Sequence, residues 1–259
     1  MGENWDNKIE YLKLTRDYFW NDDYLEFLIK HVWKINTPIK VLDFGCGYGY
    51  LGMKLLPLLP QGSTYTGIDI GKELLQTAKR EFQNSSFEAD FIETDLLDYV
   101  PLPKYDLAIC QSVLRHIPQY KVILGKMIDS VAVGGRVVCL EINRRMENAG
   151  LYISDLECDI NKHDEWLAKK WQEEIMNGGR DYLAGAKIPM YMEELGLKDV
   201  SVRVNDFAEY ISPTHDKENY DKHIKSFLTE QGFNDTEITG NIKALNIRSM
   251  IITSGIKSS

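Results

Sequence analysis

From Ile39 to Ile142 the chain alternates short β-rich runs with helical stretches, and no other feature limits its folding as strongly. "IKVLDF" is followed by a helix from Tyr50, and "TYTGID" by "KELLQTAKREF". "FEADFIET" comes next, then "YDLAIC" with "YKVILGKMIDSV", and finally "GRVVCLEI". Strand-helix repeats at this spacing predict right-handed crossovers, and hence a parallel sheet covered by helices on both faces. Gly134-Gly135 is expected to make the turn before the fifth strand.

The flanks have another texture. The first 36 residues read as two amphipathic helices. In the second, Leu25, Leu28 and Val32 recur at helical spacing, and Asp23-x-x-Glu26 resembles a capping box. Residues 144–185 are charged and aromatic, with Tyr152, His163, Trp166, Trp171 and Tyr182, and are predicted helical. "IPMYMEELGL" predicts an amphipathic helix and "KDVSVRVND" a strand; a polar helical segment at 216–231 precedes the last strand, "NIRSMIITSG". That strand is expected antiparallel, at the sheet's edge or in its interior. The reading is therefore α/β: a doubly wound, mostly parallel seven-stranded sheet with helices on both faces. Its parts are an N-terminal helical segment (1–38), a binding core (39–143), a helical cap inserted after the fifth strand (144–185), and a C-terminal part that completes the core (186–259).

With 259 residues, 44% of them hydrophobic, the chain can bury a full core without covalent staples. No run approaches the roughly 18 apolar residues of a membrane span, and "MGENWDNKIEYLK" lacks a signal-peptide core, so no membrane association and a cytoplasmic protein are expected. Cys46, Cys110, Cys139 and Cys158 form no C-x-x-C pair; three fall at or near predicted strands, where a thiol serves as a small hydrophobe. A net charge of −9 repels polyanions and disfavours nucleic acid as a partner.

Function turns on "VLDFGCGYGYLG", Val41 to Gly52. It contains Gly47-x-Gly49-x-x-Gly52, a formal match to the dinucleotide fingerprint, and also Asp43-x-Gly45-x-Gly47-x-Gly49. Either way a strand ends in a glycine-rich turn and opens a helix, so backbone can approach a ligand closely. Asp43 separates the two readings. In the dinucleotide fold this turn faces pyrophosphate, which a carboxylate two residues before the first glycine would repel. S-adenosylmethionine carries an ammonium and a sulfonium and no phosphate, so the same carboxylate attracts it.

"VLDFGCGYG" resembles motif I of the class I S-adenosylmethionine-dependent methyltransferases, and the resemblance extends in order over Ile39 to Ile142. It implies donor contacts from Asp43, Gly45, Cys46 and Gly47. "TGIDIGKELLQTAK" is similar to the family's second-strand segment, which would put Asp69 on both ribose hydroxyls and Ile70 beside the adenine. "FIETDLLD" resembles the third-strand segment, placing Asp95 at the adenine amino group and Leu96 beside the ring, although Asp90 and Asp98 compete by spacing. "YDLAICQSVLRHIP" is similar to the fourth, where Gln111 would flank the methionine part. A departure stands at Thr94-Asp95-Leu96, where the family usually has Gly or Ala before the aspartate.

The sulfonium is already an activated donor, so transfer needs chiefly alignment and exclusion of water. Two residues are placed to act as a general base. His116 lies just past the fourth strand, where the family faces the methyl group; a helix-capping role is its alternative. Glu141 ends the fifth strand, with pairing to Arg144 or Arg145 as its alternative. Tyr18, in "DYFWNDD", would come near the donor's carboxylate, as in similar enzymes, or pack between helices. The aromatics of 152–182 line an acceptor pocket or hold the cap. The expected function is methyl transfer from S-adenosylmethionine, without a metal, to oxygen, nitrogen or carbon of a small molecule, leaving S-adenosylhomocysteine. The alternatives are an NAD(P)-dependent oxidoreductase, for which no Tyr-x-x-x-Lys follows the fourth strand, and a non-catalytic donor-binding module.

Overall fold

The computed structural model describes residues 5–16, 21–142, 151–154, 160–205, 207–214, 220–221, 224, 242–247 and 249–258. The strands are β1 (Lys40–Phe44), β2 (Thr64–Asp69), β3 (Ala89–Glu93), β4 (Tyr105–Gln111), β5 (Val131–Ile142), β6 (Leu151–Ile153), β7 (Lys198–Val204), β8 (Ala208–Ile211), β9 (Ala244–Ile247) and β10 (Met250–Ile256). The α-helices are α1 (Ile9–Arg16), α2 (Asp22–Phe27), α3 (Tyr50–Leu55), α4 (Lys72–Gln83), α5 (Tyr120–Ser130), α6 (Ile160–Met176) and α7 (Ala184–Glu194). A 3₁₀ turn, Trp5–Lys8, leads into α1, and another, Leu114–His116, follows β4.

Seven strands form one sheet in the order β3-β2-β1-β4-β5-β10-β7. β3, β2, β1, β4 and β5 pair in parallel, and β10 runs antiparallel to both of its neighbours. The chain moves outward from β1 to β3 and then crosses back to β4. That reversal leaves a crevice beyond the carboxyl ends of β1 and β4, the usual ligand position in open α/β sheets.

The sequence explains the layers. β1 is buried from Val41 to Phe44, as a strand covered on both faces must be. One face carries α2, α3 and α4: Leu25, Leu28, Leu51, Leu55, Leu75 and Phe82 pack there with Val41, Leu107 and Leu140. The other carries α5 and α7, with Ile123, Leu124, Met127, Ile188 and Met192 against Leu42, Ala108 and Val137. In α4 the spacing of Leu74, Leu75, Ala78 and Phe82 gives one apolar face.

The expected seven-stranded, doubly wound sheet is present, with four local corrections. The final strand takes one of its two expected places, antiparallel and interior between β5 and β7, but "NIRSMIITSG" is divided: Ala244–Ile247 is β9, and only Met250–Ile256 joins the main sheet. Burial shows why. β9 alternates buried and exposed as a one-sided strand does, whereas β10 is buried continuously. The insertion after β5 is not wholly helical: β6 joins β9 and β8 in a small antiparallel sheet of order β6-β9-β8. Three-residue β6 pairs only with distant residues, so local sequence carries no sign of it. Gly134-Gly135 falls inside β5, at an irregularity where Tyr105 pairs with Val131 and Leu107 with Arg136. At α2 the N-cap is Asn21, so Asp23 lies inside the first turn and forms no capping box. The helix runs on into a π-turn, Leu28–Val32, closed by Trp33 N–H to Leu28 O at 2.7 Å. The helical expectation for 216–231 lies almost wholly outside the described residues.

Candidate functional site

The turn after β1 is built from three left-handed glycines: Gly45 (φ +73°), Gly47 (φ +56°) and Gly49 (φ +82°). Other residues adopt this conformation rarely, which accounts for their alternation. Their surroundings differ. A Cβ on Gly45 would lie 2.6 Å from Val113 Cγ2, and one on Gly49 would lie 2.8 Å from the Phe82 ring, whereas one on Gly47 meets nothing within 4 Å. The loop is thus packed from beneath and open at its crown. The N–H groups of Gly45 and Cys46 both donate to Ile68 O, at 2.8 and 2.9 Å, which anchors the turn to β2. Cys46 is buried against Gly67, where an added Cβ would stand 2.6 Å from its Sγ. Gly52 serves packing: a Cβ there would lie 2.6 Å from the Tyr65 ring, so its absence seats α3 on β2.

Two carboxylates flank this loop. Asp69, at the end of β2, accepts from Gly47 N–H through Oδ2 and from Gly71 N–H through Oδ1, both at 2.8 Å. Asp43 is buried below the loop and accepts from the Tyr65 hydroxyl at 2.7 Å. Burial pushes the Asp43 carboxyl up to about 7; the Tyr65 hydrogen bond and Arg16 oppose this, and Asp69 adds to it. Burial also raises Asp69, against the pull of the Gly71 and Gly47 N–H groups. Asp43 is therefore only partly ionised near neutral pH, and a cation brought to the crevice would favour the charged forms of both carboxyls.

On the far side of the crevice is the loop after β4. Gln111 is buried at its start, and Ser112 takes a left-handed conformation (φ +57°). His116 is half-buried in the 3₁₀ turn, and its Nε2 accepts from Arg115 Nε at 3.0 Å. Burial lowers its pKa to about 2, helped by Arg115, Arg180, Arg16 and Lys8, so the ring is neutral. Glu141 is fully buried at the end of β5; its Oε1 accepts from Val113 N–H at 2.9 Å and Leu114 N–H at 2.7 Å. Burial raises this carboxyl too, opposed by Arg115 and by backbone N–H groups.

The first helical segment bridges the two sides. Asp6 Oδ1 accepts from Leu74 N–H at 3.0 Å and so caps α4, whose N-cap, Gly71, has no side chain. Trp5 meets the His116 ring edge-on, with centroids 5.0 Å apart, and Lys8 lies 5.0 Å over Trp5. Leu12 packs with Tyr48 and Leu74. Arg16, at the end of α1, is half-buried near Tyr48, Tyr50 and Glu141, and desolvation lowers its pKa.

Residues 12–202, well over half of the chain, match the family described as Methyltransferase domain. The chain belongs to this family. This methyltransferase-family chain is 33% identical over 107 residues to the ubiquinone biosynthesis O-methyltransferase of Klebsiella pneumoniae (strain 342), a match taking in 40% of the chain and 43% of that relative. The chain thus spans less than half the length of the curated relatives it matches. Among solved structures it resembles phosphoethanolamine N-methyltransferase 2 of Haemonchus contortus in complex with phosphomonomethylethanolamine and S-adenosylhomocysteine (TM-score 0.59, 14% identity, 98% of this chain and 58% of that one). It also resembles an O-methyltransferase family protein from Burkholderia thailandensis (TM-score 0.56, 14% identity, 96% and 57%). At such identities these likenesses establish the fold.

Of the residues singled out in the sequence, Asp43, Gly45, Cys46, Gly47 and Asp69 build or underlie the glycine loop, Gln111 and His116 lie in the loop after β4, and Glu141 is buried behind that loop. Ile70 is largely exposed beside Asp69, at 64%. Asp95 Oδ1 accepts from Leu97 N–H at 2.8 Å and so closes a turn, while Leu96 is buried with Phe44, Ile68 and Tyr99. Tyr18 lies outside the described residues. Of the cap aromatics, Tyr152 and Trp166 are exposed, whereas Trp171 and Tyr182 meet at a tilt of 31° with ring centroids 5.7 Å apart and tie α6 to the stretch before α7. Sequence reasoning missed Trp5, Asp6 and Arg16. No local pattern marks that stretch, and the partner of Asp6, Leu74, is 68 residues away.

Proposed function

We propose that the protein moves a methyl group from S-adenosylmethionine to oxygen, nitrogen or carbon of a small molecule by direct in-line displacement. The observation carrying this reading is the glycine loop that is packed below and open above Gly47, with the Asp43 and Asp69 carboxylates beside it. Asp69 suits the ribose hydroxyls, and Asp43 suits a positively charged ligand rather than a diphosphate. Asp95, Leu96 and Ile70 would border the adenine, Gln111 and Tyr18 the methionine part. His116 would face the acceptor, but its Nε2 already accepts from Arg115 Nε and its pKa is lowered to about 2. A role as general base therefore requires that bound ligands displace Arg115 and restore the ring's basicity.

The methyltransferase relatives support the reading. No helix among the described residues is long and apolar enough to cross a membrane. With the acidic overall charge, this supports a cytoplasmic enzyme acting on a small molecule rather than on nucleic acid. Calorimetric titration with S-adenosylhomocysteine and, separately, with NADH tests it. Binding of the first and not the second is expected; NADH binding without the other overturns it. Donor binding with no turnover across a panel of hydroxyl, amine and carbon acceptors would favour a binding module.

A further inference from the structure

We propose that Glu141 is a positioning residue, whose carboxylate sets the loop after β4, and with it His116, at a fixed distance from the glycine loop. Its functional meaning rests on the methyl-transfer reading above. Glu141 is fully buried, and one oxygen, Oε1, accepts from two successive backbone N–H groups, those of Val113 and Leu114. Both follow Ser112, which holds a left-handed backbone that serine adopts only when its surroundings impose it. The carboxylate grips the chain directly after that strained corner.

Two consequences spread from this grip. Val113 points at the donor side: its methyl groups fill the space a Cβ on Gly45 would occupy, 2.6 Å from Cγ2. Leu114 begins the 3₁₀ turn that ends at His116, with His116 N–H donating to Val113 O at 3.0 Å. One side chain therefore fixes the spacing between the loop that would hold the donor and the imidazole that would face its methyl group. The grip is sealed from outside. A Cβ on Gly185 of α7 would lie 3.1 Å from Glu141 Cβ, and Asp181 N–H donates to Arg115 O at 2.8 Å, fastening the α6–α7 connection to the same loop. A carboxylate so enclosed does not meet an acceptor; it shapes the wall that does.

The test uses the full chain carrying ¹³C-labelled histidine, with the His116 signal identified by its loss in His116→Gln. In the unaltered protein this signal should not titrate between pH 5 and 8, because burial and the cations of Arg115, Arg180, Arg16 and Lys8 keep the ring neutral. Glu141→Asp retains the charge but withdraws the carboxylate by about 1.5 Å, one C–C bond. Glu141→Gln retains the reach and an accepting oxygen without the charge. Expected for Glu141→Asp are a His116 signal that now titrates and S-adenosylhomocysteine affinity reduced about tenfold. Glu141→Gln should leave the His116 signal in place and the affinity within about threefold. Equal loss of thermal stability in both variants, with an unmoved His116 signal and unchanged affinity, overturns the proposal. Failure of the unaltered protein to bind S-adenosylhomocysteine would instead sink the methyl-transfer reading, and the His116 signal would still decide whether Glu141 sets the loop.

Discussion

At the scale of single residues, burial raises the pKa of the Asp43, Asp69 and Glu141 carboxyls and lowers that of the His116 imidazole, and the linkage of Asp43 and His116 to pH differs in sign. His116 binds no proton in the folded protein above about pH 2 but takes one up below 6.5 when unfolded, so its contribution to stability is lost as pH falls through 6.5. Asp43 behaves oppositely: folded it holds its proton up to about 7, unfolded only to 3.8, so its contribution grows as pH falls from 7. Between pH 4.5 and 6.5 the two slopes oppose, each at most about 1.4 kcal/mol per pH unit. Relative to the unaltered protein, His116→Gln should become more stable on acidification and Asp43→Asn less stable, as measured by urea unfolding at several pH values. Parallel behaviour of the two variants would contradict the assignment. Asp69→Ala should weaken donor binding by about 1–3 kcal/mol, since it removes charge-assisted hydrogen bonds; calorimetry measures this directly. Proton release on S-adenosylmethionine binding near pH 7, detected in buffers of different ionisation enthalpy, is expected in the unaltered protein and absent in Asp43→Asn.

At the scale of elements, the packing of α3 on β2 depends on a missing side chain. Gly52→Ala would set a methyl group against the Tyr65 ring and should cost about 1–3 kcal/mol of stability in denaturant titration. The alternation of β-rich and helical runs made β1 to β5 and their helices legible, because each local pattern agrees with the place the element takes in the sheet. The glycine loop was legible for a related reason: Gly45, Gly47 and Gly49 each answer to a local backbone demand. The small sheet was not legible, because β6, β8 and β9 find their partners across long stretches of chain. Nor was the bridging role of Trp5 and Asp6, whose contacts are to His116 and Leu74. Glu141 stood out by position, but its partners, the N–H groups of Val113 and Leu114, cannot be read from side-chain identities. The Asp6 contact predicts that Asp6→Ala destabilises α4 at its start by about 0.5–2 kcal/mol, seen as faster amide exchange at Leu74.

At the scale of the whole molecule, the strand order gathers the ends of β1, β2 and β4 and the first helical segment at one crevice, with the end of β5 behind it, while β10 stands between β5 and β7 and joins edge strand β7 to the sheet. A chain ending at residue 243 would lack β9 and β10, leaving β5 and β7 without their common neighbour; it should show no cooperative unfolding transition in urea. The molecule as a whole carries −9, and the carboxyl under the glycine loop sits close to its protonation midpoint at neutral pH. Under the proposed methyl transfer, a sulfonium donor would enter such a place as a net cation and leave as a thioether whose sulfur is uncharged. Once the methyl group has gone, the attraction that drew the donor in disappears, and Asp43 can recover its proton. Turnover would thus loosen the hold on the spent molecule by its own chemistry, so that fresh donor displaces it and accumulating product slows the enzyme less.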